Sequence, residues 1–311
     1  MNVLVTGCAG FIGSHFVEES LLRGDNVTGI DSLTYAGKLS NMSNFQNRIC
    51  FHHLDICQTD KILDISIASE IDWIVNFAAE THVDNSIESC DEFIRTNILG
   101  VKSLLEICRE SDCKFMQIST DEVYGSTSSG TFLETDRLNP RNPYSATKAS
   151  AEYLVNSYMI THGVDFKVVR MSNNFGPRQD REKFLPTIIR KLSKGEKIPV
   201  YGDGSNIRDW LYVKDGCRIV YDVLAQGEIN EIYNVTHNNE MTNLQLVRHI
   251  TDHLDVDFKD SIEFIIDRPG HDFRYSISNE KVKKLKSLSM PTDFNKALIE
   301  TILFYSDESN V

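Results

Sequence analysis

The chain has 311 residues and a formal net charge of −13, from 32 basic and 45 acidic side chains. This length allows a large core and two domains, and the acidic balance argues against a general binder of nucleic acid or of anionic membranes. No apolar run approaches a membrane span, and the seven cysteines lack paired metal-ligand spacing. We therefore expect no metal. The odd cysteine count without a signal peptide predicts reduced thiols in the cytoplasm.

The N-terminal region carries the pattern of a dinucleotide site. An apolar run predicts a buried first strand, and three glycines spaced G-x-x-G-x-x-G follow it directly: Gly7, Gly10 and Gly13. A helical pattern comes next, and a second predicted strand ends at Asp31. Such glycines allow a tight turn and bring the pyrophosphate to a helix N-terminus, while the acid binds ribose hydroxyls. Because Asp31 would repel a 2′-phosphate, and no Arg follows it immediately, we predict NAD rather than NADP.

Strands and helices then alternate along the chain, which is typical of a Rossmann-like, doubly wound parallel sheet with helices on both faces. Ligands bind beyond the carboxyl ends of the strands in such sheets. Chemistry-bearing or small residues follow several of these predicted strand ends: Asp31, Asp55, Ala78 and Thr120. The pattern changes after about residue 173. We therefore predict an NAD-binding domain at 1–173 and a smaller C-terminal α/β substrate domain at 174–311.

Two sets of reactive side chains flank one Gly- and Ser-rich loop. Thr120, Asp121 and Glu122 follow a predicted buried strand, and Tyr144 and Lys148 lie four residues apart on a predicted helix. Residues at that spacing share a helix face. A nearby ammonium lowers the pKa of a Tyr, so that Tyr144 could act as a general base. The pair alone is usually an ordinary helix surface, but its position after a dinucleotide pattern favours a catalytic role.

These residues belong to segments that carry a resemblance over nearly the whole chain. The chain resembles the extended short-chain dehydrogenase/reductase family and, within it, the nucleoside-diphosphate-glucose 4,6-dehydratases, especially those that act on dTDP-glucose. The Thr-Asp-Glu set distinguishes the dehydratases, because related epimerases and decarboxylases share the Tyr and Lys but resemble this chain less at residues 120–122. The matching segments are the glycine turn 7–13, AAETHVDNSI at 78–87, STDEVYG at 119–125, YSATK at 144–148, NNFGPRQ at 173–179, GDGSNIRDWLYVKD at 202–215 and RPGHD at 268–272.

The resemblance implies a reaction in three stages. Tyr144 takes the proton of the sugar C4 hydroxyl as hydride passes from C4 to NAD, while Lys148 holds the nicotinamide ribose and Thr120 bonds the C4 oxygen. Glu122 then removes the C5 proton, and Asp121 protonates the departing C6 hydroxyl. Hydride returns to C6, which gives a 4-keto-6-deoxy sugar nucleotide and regenerates NAD. The two carboxyl groups need separated pKa values for these opposite proton roles.

The resemblance also implies binding residues and an assembly. A homodimer would form through the helices at about 95–110 and 146–161, and part of 209–235 would return to the NAD domain. The additional cofactor contacts would be Phe11, Ile12, Asp31, Asp55, Ile56, Ala79 and Thr96. The sugar-nucleotide pocket would be formed by Thr120, Asn174, Phe184, Tyr201, Arg208, Asn243, Arg268 and His271, with Arg208 and Arg268 on the diphosphate.

Alternatives to this reading remain open. Phe175 stands where the family usually has Tyr, and Leu288-Ser289-Met290 precedes Pro291 where a Gly-Trp pair is usual. These departures leave the nucleotide open between dTDP-glucose and UDP-glucose. Another NAD-retaining epimerase or decarboxylase is a further alternative, although such an epimerase needs no acid to expel the C6 hydroxyl. A non-catalytic NAD-binding protein on the same fold is the third alternative.

Overall fold

A seven-stranded parallel sheet organises the N-terminal part of the fold, in a computed structural model that describes residues 1–267, 271–286 and 290–307. The strands in chain order are β1 (Asn2–Thr6), β2 (Asn26–Asp31), β3 (Cys50–His53), β4 (Trp73–Asn76), β5 (Lys114–Thr120), β6 (Phe166–Met171), β7 (Asn173–Phe175), β8 (Ile198–Tyr201), β9 (Ile207–Tyr212), β10 (Glu231–Val235), β11 (Glu240–Thr242) and β12 (Ile262–Ile265). The order across the large sheet is β10-β6-β5-β4-β1-β2-β3. This arrangement confirms the predicted Rossmann-like sheet.

The helices cover the sheet and build the smaller C-terminal part. They are α1 (Phe11–Leu22), α2 (Thr59–Ala68), α3 (Val83–Glu88), α4 (Asp91–Ile94), α5 (Val101–Ser111), α6 (Pro143–His162), α7 (Phe184–Ser193), α8 (Val213–Gln226), α9 (Asn243–Leu254) and α10 (Phe294–Ser306). A π-helical segment, Arg95–Gly100, joins α4 to α5, and short 3₁₀ turns occupy Leu39–Met42, Gln46–Arg48, Asp121–Tyr124 and Val282–Lys284.

The crevice of the large sheet lies where the chain reverses its direction of winding. Strand β1 pairs with β2 on one side and with β4 on the other. The chain therefore winds from β1 toward the β3 edge and then crosses back from β3 to β4, on the other side of β1. Val3, Leu4 and Val5 are fully buried, which a central parallel strand covered on both faces requires. Ligands bind at such a reversal, beyond the carboxyl ends of the strands. The glycine turn after β1 therefore lies at the mouth of the crevice.

Two small sheets belong to the C-terminal part. One has the order β11-β9-β7, with β9 and β11 antiparallel, and the other pairs β8 with β12. Strands β10, β11 and β12 have no counterpart among the strands predicted from the sequence. Strand β10 joins the large sheet beside β6, and α8 packs against α1.

Helix α6, which carries the predicted Tyr–Lys pair, begins earlier than predicted. Asn142 caps it, since the Asn142 side chain accepts a hydrogen bond from the Ser145 N–H and the Ser145 hydroxyl accepts one from the Asn142 N–H. Pro143 occupies the first turn, where its missing N–H is not needed. These contacts fix the start of the helix one residue before Tyr144.

Within the described ranges, no helix has the length and apolar character required to cross a bilayer. The same ranges hold no group of three His, Cys, Asp or Glu side chains suited to a metal ion. Arg268, one of the two residues predicted to bind the diphosphate, lies outside the described residues, as do Leu288 and Ser289.

Candidate functional site

The glycine turn forms one wall of a cleft at the carboxyl ends of the large sheet. Gly7 has a φ of +67°, and a Cβ at that position would lie 2.7 Å from the Ala78 nitrogen. A Cβ on Gly13 would lie 2.1 Å from the Gly7 carbonyl oxygen. Only glycine fits either position. Helix α1 begins after Gly10 with no side chain capping its N-terminus, so this end is open to an anion.

Two carboxylates lie further along the cleft, after β2 and β3. Asp31 is buried and accepts hydrogen bonds from the Ala9 N–H at 2.9 Å and the Leu33 N–H at 2.8 Å. Burial raises the pKa of Asp31, and these bonds oppose the rise. Asp55 accepts from the Cys57 N–H at 2.8 Å and from the Arg95 guanidinium at 2.6 Å. Burial of Asp55 acts in the raising direction, but those bonds outweigh it and hold the pKa of Asp55 below its usual value.

The π-helical segment places Thr96 in the cleft, and the next residue, Asn97, is hydrogen-bonded to the loop after β4 and to α6. The Asn97 side chain accepts from the Glu80 N–H at 2.9 Å, and donates to the Glu80 carbonyl and the Thr147 hydroxyl, each at 3.0 Å. Extra residues in a helical turn are frequent at functional sites because they redirect side chains. Here the segment joins the loop after β4 to helix α6.

Thr120, Asp121 and Glu122 lie together where β5 ends and a 3₁₀ turn begins. The Thr120 hydroxyl donates to Asp121 Oδ1 at 3.2 Å and accepts from the Glu122 N–H at 3.2 Å. Asp121 is 2% exposed, and its Oδ2 has no hydrogen-bond partner among the described residues. Burial raises the pKa of Asp121 well above its usual value, and the charges of Glu122 and Asp209 raise it further. Burial therefore favours the protonated form of Asp121.

Glu122 has a more polar environment than its neighbour. Its Oε2 accepts from the Asn142 amide at 3.2 Å and from the Tyr275 hydroxyl at 3.4 Å. The same Tyr275 hydroxyl donates to Asp272 Oδ2 at 2.7 Å. Asp121 is buried with one unpartnered oxygen among the described residues, whereas Glu122 is held by hydrogen bonds. Such a difference between adjacent carboxyl groups can assign the acid role to one and the base role to the other.

Tyr144 and Lys148 face the same cleft from helix α6. Both are buried. The Lys148 ammonium donates to the Ile118 carbonyl of β5 at 2.7 Å, and burial lowers the pKa of Lys148 to about 8, while the charge of Glu152 acts in the opposite direction. The helix and the strand end therefore present all five predicted catalytic residues to one space: Thr120, Asp121, Glu122, Tyr144 and Lys148.

The expected lowering of the Tyr144 pKa by Lys148 is wrong for this structure. Burial raises the pKa of Tyr144, the charges of Glu122 and Asp121 add to the rise, and a hydrogen bond with Thr120 opposes it. The sequence showed that Lys148 shares a helix face with Tyr144, but not that its ammonium is directed to a backbone carbonyl. It also did not show that the charges of two carboxyl groups, Glu122 and Asp121, raise the pKa of Tyr144.

All the residues predicted to contact the cofactor line this cleft. They are Gly7, Gly10, Phe11, Ile12, Gly13, Asp31, Asp55, Ile56, Ala79, Thr96, Tyr144 and Lys148. The predicted substrate residues divide into two groups. Thr120 and Asn174 line the cleft with the cofactor set, and the other described ones do not: Phe184, Tyr201, Arg208, Asn243 and His271.

The second group belongs to the C-terminal part of the fold. The Tyr201 and His271 rings have centroids 6.2 Å apart, and His271 Nδ1 lies 2.6 Å from Asp267. Arg208 is buried, and its guanidinium donates to the backbone carbonyls of Ile207 and Asp272, at 2.8 and 3.0 Å. It stands over the Tyr275 ring at 4.3 Å. Phe184 and Asn243 are the first residues of α7 and α9.

Several residues of the site were not singled out by the sequence. Tyr275 and Asn142 contact Glu122, but they lie far from it along the chain, and no local pattern links them to it. Five others follow strand ends or begin helices, so their position relative to the predicted elements could have indicated them: Ser32, Thr34, Glu80, Arg95 and Lys183.

The residues present fit a dinucleotide. The turn leaves no room for a Cβ at Gly7 or Gly13, the N-terminus of α1 is open, and Asp31 is held by backbone N–H groups beside the cleft. A pyrophosphate takes hydrogen bonds from a helix N-terminus, and a fixed carboxylate takes ribose hydroxyls. The cleft therefore has the donor and acceptor groups that NAD needs.

Comparison with known proteins agrees with this geometry. The sequence model of the GDP-mannose 4,6 dehydratase family matches residues 4–299. A dTDP-glucose 4,6-dehydratase of Streptomyces niveus is 41% identical over 99% of this chain and 93% of its own. The chain belongs to the dTDP-glucose 4,6-dehydratase family. The low-salt glycan biosynthesis protein Agl12 of Haloferax volcanii is also similar, with 46% identity over 92% of each chain.

Solved structures place the family within a wider group of the same fold. The dTDP-glucose 4,6-dehydratase DesIV of Streptomyces venezuelae, solved with NAD and TYD bound, has a TM-score of 0.94 and 38% identity, over 99% of this chain and 98% of its own. The UDP-glucose 4-epimerase of Thermotoga maritima, solved with UDP-glucose, has a TM-score of 0.91 but only 27% identity, over 98% and 99%. The backbone is thus shared with epimerases, and the dehydratase family is distinguished by its side chains.

Proposed function

We propose that this protein is a hydro-lyase that converts dTDP-glucose to dTDP-4-keto-6-deoxyglucose with bound NAD. The observation that carries the proposal is the side-by-side placement of Asp121 and Glu122 in the cleft that also holds Tyr144 and Lys148. An alcohol oxidation needs only the Tyr and Lys. A second acid–base pair of carboxyl groups serves a reaction that also removes a proton and expels a hydroxyl group.

The cofactor would be held by the glycine turn, Asp31, Asp55 and the α6 pair. When bound, NAD supplies the hydride acceptor and donor that the reaction requires. Tyr144 accepts the proton of the C4 hydroxyl, and its raised pKa makes the phenol a strong base once it is ionised. Lys148, whose ammonium donates to the Ile118 carbonyl, would hold the nicotinamide ribose. Thr120 orients the C4 oxygen, because its hydroxyl lies between the two groups of reactive side chains.

The two carboxyl groups divide the elimination. Glu122 removes the proton from C5, and the hydrogen bonds from Asn142 and Tyr275 hold its carboxylate in place. Asp121, whose protonated form is favoured by its burial, donates a proton to the departing C6 oxygen. Their environments differ as opposite proton roles require. If a hydride from the cofactor then reaches C6, Glu122 would return its proton to C5, and the proton taken up by Tyr144 would pass to Asp121, within the site or through solvent, so that all three groups regain their starting state.

An epimerase or decarboxylase is the main alternative in the same fold. An epimerase that acts at C4 needs no group to protonate a C6 oxygen. A buried Asp121 would then be a destabilising residue without a use, because a carboxyl group in that position costs desolvation energy. A non-catalytic role is disfavoured for the same reason.

Product analysis tests the proposal. Purified protein with NAD is incubated separately with dTDP-glucose and UDP-glucose, and the products are weighed by mass spectrometry. Loss of one water, with a 4-keto product, in the dTDP-glucose tube is expected. Loss of water only in the UDP-glucose tube would show that UDP-glucose, and not dTDP-glucose, is the substrate. A product of unchanged mass with an inverted C4 hydroxyl would indicate an epimerase.

The division into domains, the assembly and the location stay predictions. Strand β10 in the large sheet and α8 against α1 support the return of part of 209–235 to the NAD domain. For the homodimer, apolar side chains stand exposed on and beside the two helices: Leu99, Tyr153 and Ile160 are 55, 64 and 68% exposed. A change of Ile160 to Glu should produce monomers in light scattering if α6 forms the interface. The cytoplasmic location rests on the sequence alone.

A further inference from the structure

A buried ion pair, formed by Glu152 and Arg170, lies behind the catalytic groups and takes no part in the reaction described above. Glu152 and Arg170 are 5% and 3% exposed. The Arg170 guanidinium donates to Glu152 Oε2 at 2.6 and 3.0 Å, and to Oε1 at 3.2 Å. A buried pair of this kind loses hydration energy, and apolar side chains of similar volume often stabilise a fold as well. Stability alone therefore does not explain why the pair is here.

The position of the pair connects the three elements that carry the chemistry. Glu152 lies on α6, one helical turn after Lys148 and two turns after Tyr144, on the same face. Its Oε1 also accepts a hydrogen bond from the hydroxyl of Ser119, the residue before Thr120 on β5. Arg170 stands directly beside Ser119 on the neighbouring strand β6, as its partner in the sheet. Glu152 thus joins the catalytic helix to the end of the catalytic strand.

We propose that Glu152 is a positioning residue for the dehydratase reaction, which fixes α6 against the end of β5 and holds the ammonium of Lys148 in its place. The inference rests on the function proposed above, because the helix and the strand it joins carry Tyr144, Lys148 and Thr120. No role is assigned to Glu152 in touching the sugar or the cofactor. Arg170 in turn orients the Glu152 carboxylate, through the bidentate pairing that a guanidinium allows.

The charge of Glu152 also acts on Lys148. Burial lowers the pKa of Lys148 to about 8, and Glu152 raises it again. The other titratable groups on the packed elements are Tyr144 on α6, Asp121, Glu122 and Tyr124 after β5, and Arg170 on β6. The Tyr124 hydroxyl accepts a hydrogen bond from the Arg170 guanidinium, whose carbon lies 4.6 Å from the centre of the Tyr124 ring. Among these, Arg170 is the group whose charge Glu152 offsets. Removal of the carboxylate would leave Arg170 as an unpaired cation behind Lys148, and both changes favour loss of the Lys148 proton.

The test compares two isosteric changes in the holoenzyme, Glu152→Gln and Glu240→Gln. Glu240 is a matched control, since Arg274 donates to both of its oxygens, at 2.6 and 2.8 Å, away from α6. The measurement is kcat/KM for dTDP-glucose as a function of pH, with thermal unfolding alongside. In Glu152→Gln the alkaline limb should move down by roughly 1–3 pH units, the range typical of a nearby opposite charge. In Glu240→Gln it should not move, whatever the loss of thermal stability.

Two further variants keep the test decisive if Glu152→Gln folds poorly. Glu152→Asp retains the charge, so its alkaline limb should stay near that of the wild type while its rate falls. The double change Glu152→Gln with Arg170→Gln removes both buried charges and avoids an orphaned cation. It should fold, and its alkaline limb should lie between those of the wild type and of Glu152→Gln, because the two offsetting charges are lost together. Its rate should stay below that of the wild type, because the Glu152 carboxylate no longer holds α6 to the end of β5. A folded double variant with the rate of the wild type would overturn the proposal.

A second readout separates this proposal from the proposed function. Competitive labelling of amines with acetic anhydride, followed by mass spectrometry of the peptide that contains Lys148, gives the pKa of that lysine without turnover. If the wild type converts no sugar nucleotide, the proposed function fails, and the labelling still decides the link between Glu152 and Lys148. Equal Lys148 pKa values in the wild type and Glu152→Gln would refute it, and a lower value in the variant would support it.

Discussion

Replacement of Lys148 by Met should stabilise the fold at neutral pH while it abolishes the reaction. Lys148 is 5% exposed and donates to one backbone carbonyl, at 2.7 Å. Its ammonium is useful in catalysis but unfavourable in a buried site. Met has a similar length without the charge, so Lys148→Met removes the penalty and keeps most of the packing.

The size of the effect follows from the pKa of Lys148, which burial lowers from 10.5 to about 8. At roughly 1.36 kcal/mol per pKa unit, this shift corresponds to about 3 kcal/mol. The folded state binds the proton less tightly than the unfolded chain. The penalty is therefore full below about pH 8 and fades as the pH rises toward 10.5, so wild-type stability should rise across that window relative to the variant.

Urea unfolding of both proteins near pH 7 and near pH 10 measures this difference. The stability advantage of Lys148→Met should shrink by about 2–3 kcal/mol between the two values. Lys167 offers a matched control, because burial also lowers its pKa to about 8 and it lies outside the cleft. Lys167→Met should show the same pH dependence and keep its activity. A difference between the wild type and Lys148→Met that does not change with pH would refute the reasoning.

Three further changes test separate parts of the site. Asp121→Asn should slow water loss by ~10²–10⁴-fold, as for loss of a general acid. It should not lower the unfolding temperature, because a neutral amide replaces a carboxyl group whose charged form burial disfavours. Deuterium exchange at C5 should continue, and its loss would contradict the assigned role. Glu122→Gln should stop C5 exchange and leave NAD binding intact, and normal exchange would exclude Glu122 as the base. Gly13→Ala places a Cβ 2.1 Å from the Gly7 oxygen, so the NAD dissociation constant measured by calorimetry should rise at least about tenfold; an unchanged constant would argue against the turn as the pyrophosphate site.

The sheet and the cofactor cleft could be predicted from the sequence because their signals are local. The glycine spacing, the apolar strands and Asp31 each stand within a few residues of the element they define, and the strand ends of a parallel sheet meet at one edge. The same holds for Thr120, Asp121 and Glu122, which directly follow β5. For these residues, knowledge of the strand boundary is nearly enough to place the side chain.

The environment of the catalytic groups depends on residues distant in the chain. Tyr275 reaches Glu122 from 153 positions away, and Glu152 of helix α6 is paired with Arg170 of strand β6. The predicted direction of the Tyr144 pKa shift was wrong because the shift depends on total burial and on two neighbouring carboxyl groups, which no periodicity reveals. The short strands β10, β11 and β12 were missed because their pairing partners, and not their own few residues, define them.

The most direct test of the central claim follows the hydride within one sugar. The protein is incubated with dTDP-glucose carrying deuterium at C4, and the position of the label in the product is determined by NMR. A 4,6-dehydratase that stores the hydride on its own NAD predicts deuterium at C6 of a 4-keto-6-deoxy product. Deuterium that remains at C4, or a product that retains the C6 oxygen, would contradict the account.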